Sequence, residues 1–231
     1  MPKQHQKPKC SAQTSGDKPN SMKMPINGVS SAVSKSAMDS FVVHRHVQPA
    51  EDVAQYASDL NDAMDEMLNR SEVPADYAEA MVALFRDKSQ GDVIRDFAVQ
   101  HVGLYAETPQ MRGRYDAGSR ESAALRDALW DAANETRTIV AAAALRALAD
   151  MSAFDPHIDV SRLDSRLAAC VTDASASPAA RAMAVQLCGE RRVTSARAAL
   201  EAMRVDAASP EILRQAARRA LDSIDGRGIS Q

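Results

Sequence analysis

The sequence predicts an all-α protein in which pairs of helices are repeated along the chain, an arrangement known as an α-α superhelix or α-solenoid. Three observations lead to this fold class. Apolar residues recur at steps of three and four through most of residues 49–226, which is the spacing of one buried helix face. No run of alternating β-branched residues indicates a strand. The segment RDFAVQHVG at 95–103 returns as RAMAVQLCG at 181–189, which indicates an internal repeat.

Residues 1–48 differ from the rest of the chain in composition and are predicted to form a disordered tail. They are rich in Lys, Ser, Pro and Gln, and a segment with so few apolar residues cannot offset the entropy lost on ordering. The first forty residues hold six Lys and two Asp. The sequence therefore predicts a basic tail over 1–48, a helical domain over 49–226 and a short C-terminal tail over 227–231.

Three amphipathic helices are predicted in the first half of the helical domain. The first two carry apolar stripes over 53–67 and 77–85. Asp92 is predicted to cap the third helix, because a carboxylate can accept hydrogen bonds from the free N–H groups of a first turn. Residues 108–119 then hold Pro, two Gly and no apolar period, so they are predicted to form a loop.

Six further helices are predicted after this loop. Residues 152–160 form a second predicted loop, which separates the first two of these helices from the last four. Ser177–Pro178 and Ser209–Pro210 are strong start signals, because Ser caps the helix and Pro suits the first helical position. The predicted helices lie around 125–132, 136–151, 160–173 and 193–205, with two more that start at 177 and 209.

One type of helix recurs at spacings of roughly 33 to 44 residues. It opens with an Arg that is followed by small apolar residues on one face, at Arg95, Arg137, Arg181 and Arg214. A second, shorter amphipathic helix lies between successive copies. One pair of helices cannot bury its apolar face alone, so it packs on the next pair, and this requirement produces a solenoid.

The segment SPAARAMAVQLCGERRVTSARAALEAMRVDAASPEILRQAARRALDSI, residues 177–224, resembles short bacterial HEAT-like repeats, and GDVIRDFAVQHVGLYAE, residues 91–107, is similar to the first helix of an earlier unit. The resemblance extends over about residues 75–224. It implies a HEAT/armadillo-like solenoid in which the second helix of each unit lines the concave side. Spacings of 42 and 44 residues precede one of 33, whereas units of this family are nearly constant in length. The exact repeat boundaries are therefore left open.

No arrangement of residues is typical of a catalytic, cofactor or metal site. The sequence contains no Gly-rich phosphate loop, no His-Glu-x-x-His or paired-Cys metal spacing and no Gly-x-Ser-x-Gly elbow. His101 aligns with Leu187 of the repeated segment and is interpreted as a core histidine. His157 lies between Asp155 and Asp159, which supply too few fixed ligands for a cation. The sequence therefore predicts no catalytic residue, no metal and no cofactor.

The three cysteines, Cys10, Cys170 and Cys188, are a sparse and odd set that favours a reducing compartment. Cys170 and Cys188 fall where a helix places apolar residues, so they are interpreted as small buried side chains, and a redox pair is left open. The longest apolar run, residues 139–145, is far shorter than the ~20 residues needed to span a bilayer. No secretory signal is recognised. A cytoplasmic location is expected, and export through the N-terminal tail is left open.

Two sets of residues are candidates for contacting a protein or peptide partner. On the predicted helices 160–173 and 193–205, charged side chains face away from the apolar stripe, and the HEAT-like resemblance places such helices on the concave side. The 108–119 loop carries residue types that suit a contact site. Guanidinium groups bind carboxylates, so an acidic partner is expected. The candidates are Arg162, Arg166, Arg197, Glu201 and Arg204 on the helices, and Arg112, Arg114 and Tyr115 in the loop.

The sequence favours a non-enzymatic scaffold or adaptor that binds a protein through a curved helical surface. One alternative is an enzyme, because some HEAT-like proteins are bilin lyases or DNA glycosylases. This chain has a single aromatic residue, Phe154, after Trp130, so few side chains are available to stack on a tetrapyrrole or a base. The other alternative is a nucleic-acid-binding module that uses the C-terminal arginines. Residues 176–231 carry +3, but residues 41–175 carry −10, which repels phosphate.

Overall fold

The computed structural model describes residues 50–108 and 113–227. These ranges fold into nine α-helices and one short 3₁₀-helix and contain no β-strand, which confirms the all-α class. None of the described helices is both long and apolar enough to cross a membrane. The predicted tail 1–48 lies outside the described residues. The helices are α1 (Ala50–Leu68), α2 (Tyr77–Arg86), α3 (Asp92–Glu107), α4 (Arg120–Ala133), α5 (Val140–Met151), α6 (Val160–Thr172), α7 (Pro178–Glu190), α8 (Arg197–Val205, preceded by the 3₁₀-helix Thr194–Ala196) and α9 (Glu211–Ile224).

Three helices begin with a side-chain cap. Ser119 caps α4, Asp159 caps α6 and Ser177 caps α7. In each case a side-chain oxygen accepts a hydrogen bond of 3.0–3.1 Å from the backbone N–H three residues further on, which satisfies one of the free donors of a first helical turn. Pro178 occupies the first turn of α7. The helix start predicted at Ser177 is therefore confirmed.

Two predicted helix starts differ in detail from the structure. Gly91, rather than Asp92, is the cap residue of α3, and the Asp92 carboxylate instead accepts a hydrogen bond from a guanidinium one turn further on. At α9, Pro210 takes the cap position without a side-chain hydrogen bond. The Ser209 hydroxyl donates to the Asp206 carboxylate at 2.8 Å. In both places the side chain that was predicted to cap the helix forms a hydrogen bond with a nearby side chain instead.

The helices from α2 to α9 pack as four sequential pairs, namely α2 with α3, α4 with α5, α6 with α7, and α8 with α9. The second helix of each pair also packs against the second helix of the next pair, so that α3 contacts α5, α5 contacts α7, and α7 contacts α9. Among the first helices, α2 contacts α4 and α6 contacts α8, while α1 packs against α3. Helices that are close in the chain therefore provide most of the packing.

The repeated segment ends at a glycine that lets two second helices approach each other. A Cβ placed on Gly103 of α3 would lie 2.8 Å from the Cβ of Ala147 in α5, and one placed on Gly189 of α7 would lie 2.8 Å from the Cα of Ala220 in α9. Carbon atoms in contact are normally ~3.5–4.0 Å apart. The two copies of the segment thus occupy equivalent places, since each ends where its helix meets the second helix of the next pair.

The Arg that opens the recurring helix type joins neighbouring pairs in its first copy. Arg95 is only 4% exposed. Its Nε donates to the carbonyl oxygen of Phe85 at the end of α2, at 2.9 Å, and its Nη2 donates to the Glu135 carboxylate just beyond α4, at 2.7 Å. Lys88 also pairs with Glu135. In the last copy, Arg214 donates to backbone carbonyl oxygens before α9. These polar contacts surround an apolar core that is continuous from α1 to α9.

Candidate functional site

A groove of about 390 Å³ crosses the exposed faces of α3, α5 and α7. Its lining comes from three successive helix pairs, so it forms only where their second helices lie side by side. Binding sites in proteins are commonly concave and mostly apolar, with a few polar groups. The apolar lining includes Leu104, Ile139, Ala142, Ala143, Ala179 and Met183, and the polar lining consists of Asp96, Gln100, Glu107, Arg146 and Asp150.

Small side chains of α5 form the middle of the groove. Because α5 contacts both α3 and α7, its Ala142 and Ala143 line the groove between residues of α3 and α7, such as Leu104 and Met183. Leu104 is 45% exposed and Ile139 is 38% exposed. Large apolar side chains in contact with water are stabilised when another apolar surface covers them. The groove therefore favours an occupant with an apolar side chain.

Acidic groups outnumber basic groups in the groove. Among the described residues that line it, Asp96, Glu107 and Asp150 carry negative charge and Arg146 carries positive charge. Arg146 pairs with Asp150 at 2.7 Å and with Glu190 at 2.9 Å, and its hydrogen bonds to Asp150 raise the pKa of Arg146. The positive charge is thus compensated within the molecule, and an occupant meets a net negative surface.

The Asp96 carboxylate is only weakly compensated. It accepts a hydrogen bond from the Gln100 amide at 2.8 Å. Burial raises the pKa of Asp96, and the Gln100 hydrogen bond offsets this effect only in part. No cation within the described ranges is among the groups that act on this carboxylate. A cation that enters the groove would therefore stabilise the charged form of Asp96.

The predicted site residues Arg162 and Arg166 lie on α6, outside the groove, and both contact α4. The Arg162 guanidinium lies 4.0 Å from the centroid of the Trp130 ring. Arg166 donates hydrogen bonds of 2.9 and 3.1 Å to the carbonyl oxygen of Ala133, which satisfies a free acceptor at the end of α4. The sequence interpretation takes α6 and α8 as second helices of their units. That assignment is wrong, because they pair mainly with the helices that follow them, α7 and α9.

The three predicted residues of α8 follow one another at steps of four and three and so share one face of that helix. Arg197 pairs with Asp225 beyond α9 and lies 3.8 Å from the Glu201 carboxylate. Arg204 lines an open hollow of about 480 Å³ between α8 and α9. Contact of these residues with a partner stays a prediction. The hollow is lined by Arg204, Val205, Ala207, Arg214 and Arg218.

The predicted loop site is only partly described, because residues 109–112, and with them Arg112, lie outside the described ranges. The Tyr115 hydroxyl donates to the buried Asp155 carboxylate at 2.6 Å, and burial together with this hydrogen bond raises the pKa of Tyr115 to about 12. Arg114 is exposed and lines a small cleft beside Tyr115. The Tyr115 side chain therefore anchors the loop, and Arg114 is the described loop candidate that is free to meet a partner.

The histidine and the cysteines that were interpreted as core residues are buried. A hydrogen bond of 2.7 Å joins His101 Nδ1 and the Tyr77 hydroxyl, and burial lowers the pKa of His101. Cys170 and Cys188 are free thiols, and burial raises their pKa to about 11 and about 12. The thiolate is the reactive form of cysteine, so neither side chain is suited to redox chemistry at neutral pH. Within the described residues, no group of three His, Cys, Asp or Glu side chains is placed to hold a metal ion.

Sequence reasoning missed the groove because it assigned the apolar residues of each helix to the core. Leu104 and Ile139 lie off the stripes that pack inside α3 and α5, and they stay exposed. An apolar residue off the buried stripe, on successive copies of one helix type, is the sequence signal that marks the groove. The charged lining gives no such signal, because Asp96 and Glu107 are ordinary residues for a helix surface.

Comparison with models of protein families, with curated proteins and with solved structures found no match. The functional conclusion therefore depends on the shape and chemistry of the surfaces described above.

Proposed function

We propose that this chain is a non-enzymatic interaction scaffold in which HEAT-like helix pairs form an α-α superhelix and a protein segment binds in the groove across α3, α5 and α7. The order of helix contacts supports the superhelical part, since each pair packs against its neighbours in the chain. The two repeated glycines lie at equivalent contacts between second helices. Solenoids of this type use extended concave surfaces for binding.

One observation is the main support for binding of a protein segment in the groove. Leu104 and Ile139 stay exposed in a groove whose remaining floor is formed by alanines and Met183. Clustered apolar side chains with a polar rim mark interaction sites on protein surfaces. An apolar side chain placed over Leu104 would be buried together with it. Such a site binds through burial and charge, and it needs no activated nucleophile or acid–base pair.

The charges of the groove favour a cationic segment. Asp96 and Glu107 border the same surface as Leu104, so a Lys or Arg close to an apolar anchor would lie beside a carboxylate. The acidic partner expected from the arginines of α6 and α8 does not suit this groove, because those arginines lie elsewhere. The groove and the arginines therefore predict opposite charges for the partner.

Two short fluorescent peptides test the proposal by anisotropy. One has lysines around a leucine, and the other has glutamate in place of each lysine. We expect the Lys/Leu peptide to bind the full chain at least about tenfold more tightly, which is ~1.4 kcal/mol. Leu104→Ser should remove most of this binding, because it takes away the apolar contact without adding a charge. Val160→Ser is the control, since Val160 is also 45% exposed but lies on α6 outside the groove. Equal loss in both variants, or no binding of the Lys/Leu peptide at all, counts against the proposal.

A second candidate surface is the hollow between α8 and α9, which favours an acidic segment. Arg214 already pairs with Glu211 and with backbone carbonyl oxygens, so Arg204 and Arg218 are the side chains that would contact an occupant. Binding of the Glu/Leu peptide, with loss in the Arg204→Glu/Arg218→Glu variant, would assign an acidic partner to this surface. A nucleic-acid partner predicts instead a steep loss of DNA binding between ~50 and ~200 mM salt.

A further inference from the structure

The groove and the N-terminal segment of this chain have complementary chemistry. The groove is lined by three carboxylates and one arginine, which pairs with one of them, Asp150, so the described lining has a net charge of −2. The first forty residues have a net charge of +4. Within them, KPNSMKMPI at residues 18–26 combines Lys18 and Lys23 with Met22, Met24 and Ile26. This short segment therefore offers both the apolar side chains and the cations that the groove favours.

We propose that residues 18–26 of this chain bind in the groove across α3, α5 and α7, with an apolar side chain over Leu104 and a lysine beside Asp96 or Glu107. The inference rests on the proposed function, because it uses the same groove, and it names the first occupant of that groove. A partner protein then binds only by displacing the chain's own segment.

The side chains of the segment suit the shape of the groove. Methionine is unbranched and flexible, so it fills irregular apolar surfaces, and the groove of about 390 Å³ has small side chains at Ala142 and Ala143. The Asp96 carboxylate is half-buried, and within the described ranges the Gln100 amide is its hydrogen-bond partner. An ammonium group next to it would compensate its charge. Burial of the apolar side chain and compensation of the Asp96 charge therefore both favour binding of the segment.

The connection between the segment and the helical domain is long enough. Twenty-three residues separate Ile26 from Ala50, where α1 begins, and at ~3.4 Å per residue they reach up to roughly 80 Å. The groove crosses α3, whose 16 residues are about 24 Å long. Because α1 packs against α3, the connection starts from a neighbour of the groove. A tether also gives an effective concentration in the millimolar range, so even a weak contact is populated.

The chain is well suited to a spin-label experiment. The thiols of Cys170 and Cys188 are buried, so a nitroxide reagent reacts selectively at a cysteine introduced by Ser21→Cys in a Cys10→Ser chain. We expect paramagnetic relaxation enhancement to be strongest at the groove amides of α3, α5 and α7 and to decrease across α9 and α8, because α9 packs on the side of α7. The Lys18→Glu/Lys23→Glu variant should lose at least half of the enhancement. Lys3→Glu/Lys7→Glu carries the same charge change outside the segment and should retain it.

A charge exchange tests the pairing of the segment with the rim. Asp96→Lys/Glu107→Lys, added to Lys18→Glu/Lys23→Glu, should restore the enhancement at the groove amides. If that variant does not fold, Asp96→Asn/Glu107→Gln in the otherwise unchanged chain should weaken the enhancement. Enhancement that is uniform over all nine helices, or that does not respond to either rim variant, overturns the proposal.

Competition with the Lys/Leu peptide separates this proposal from the proposed function. If residues 18–26 occupy the groove, Lys18→Glu/Lys23→Glu should raise the affinity of the full chain for the peptide by about threefold, because the internal competitor is lost. Unchanged affinity would overturn the internal contact and leave the groove as a partner site. Failure of the peptide to bind any variant, together with groove-specific enhancement, would support the internal contact and argue against the proposed function.

Discussion

Gly103 and Gly189 show how single residues control the distance between helices. Alanine is favoured over glycine inside a helix by ~1 kcal/mol, yet each glycine sits in the middle of a helical contact. The added methyl group would meet Ala147 or the backbone of Ala220 at 2.8 Å. The contact can be relieved only by moving a helix, because neither neighbour has a flexible side chain.

Gly189→Ala is expected to lower the free energy of unfolding by about 1–2 kcal/mol, since overpacking in a core outweighs the gain in helix propensity. Urea denaturation measures the change. Gly113→Ala is the control, because a Cβ at Gly113, an exposed residue outside the helices, meets no atom within 4 Å, and it should change stability by less than ~0.5 kcal/mol. Ala220→Gly should not rescue the Gly189→Ala chain, because the Cα of Ala220, which remains, is the atom 2.8 Å from the added methyl group. A stabilised Gly189→Ala protein would show that the contact is looser than described.

His101 is expected to make the protein less stable in mild acid. Burial lowers the pKa of His101 below its ordinary value of 6.5, against the opposing attraction of Asp65. Below pH 6.5 the unfolded chain therefore takes up a proton that the folded protein does not bind. The stability that the neutral ring contributes is present above the unfolded pKa and is lost as the pH falls below it.

Urea midpoints measured between about pH 7.5 and pH 5.5 report this effect. The decrease in urea midpoint toward low pH should be smaller in His101→Gln, where the titrating ring is absent. It should be the same as in the unchanged protein in His157→Gln, which removes a histidine from the 152–160 loop. If the urea midpoint of His101→Gln falls with pH as steeply as that of the unchanged protein, the acid sensitivity comes from other groups.

At the scale of helices, the sequence predicts number and type well. The nine helices expected from apolar periodicity and start signals are the nine that the structure describes, because a buried face forces a period of 3.6 residues on the sequence. Caps are predicted less well, as Asp92 and Ser209 show. Each of those side chains has two polar partners within reach, and the sequence does not show which one it binds.

The two Ser-Pro starts give a matched test of capping. The Ser177 hydroxyl accepts from the Ala180 N–H and donates to the carbonyl oxygen of Thr138 at 2.8 Å, so it caps α7 and joins it to the start of α5. Ser177→Ala should cost about 1–2 kcal/mol of unfolding free energy in urea denaturation. Ser209→Ala loses the hydrogen bond to Asp206 but no cap, so it should cost less, about 0.5–1 kcal/mol. Similar losses of unfolding free energy in the two variants would mean that the Ser177 cap contributes no more than an ordinary side-chain hydrogen bond.

At the scale of the whole molecule, the candidate site was the least predictable part. The arginines of α6 and α8 were selected because they face away from an apolar stripe, which is correct for one isolated helix. Three of the five predicted side chains then find partners on neighbouring helices or just beyond them, at Trp130, Ala133 and Asp225. The groove depends on three helices that are distant in sequence, so no single segment indicates it.

Core substitutions should show whether neighbouring helix pairs stabilise each other. Leu145 is fully buried in α5, which contacts α3, α4 and α7, and Leu145→Ala should cost about 3 kcal/mol. In a superhelix whose pairs are stabilised by their neighbours, hydrogen exchange should then accelerate most in α3, α4 and α7. Leu213→Ala in α9 should accelerate exchange in α7 and α8 and spare α2 and α3. Equal acceleration in every helix would indicate one cooperative unit instead.

The close approach at Gly103 has a consequence for ligand selectivity. Gly103 and Ala147 belong to the lining of the groove and also form the contact between α3 and α5. Because position 103 has no Cβ, α3 and α5 lie close together, and their separation sets the width of the groove between them. Enlarging position 103 by one carbon would spread the two walls and shift the preference toward bulkier anchors. In the proposed function, the absence of a Cβ at position 103 thus sets the size of the side chain that the groove accepts.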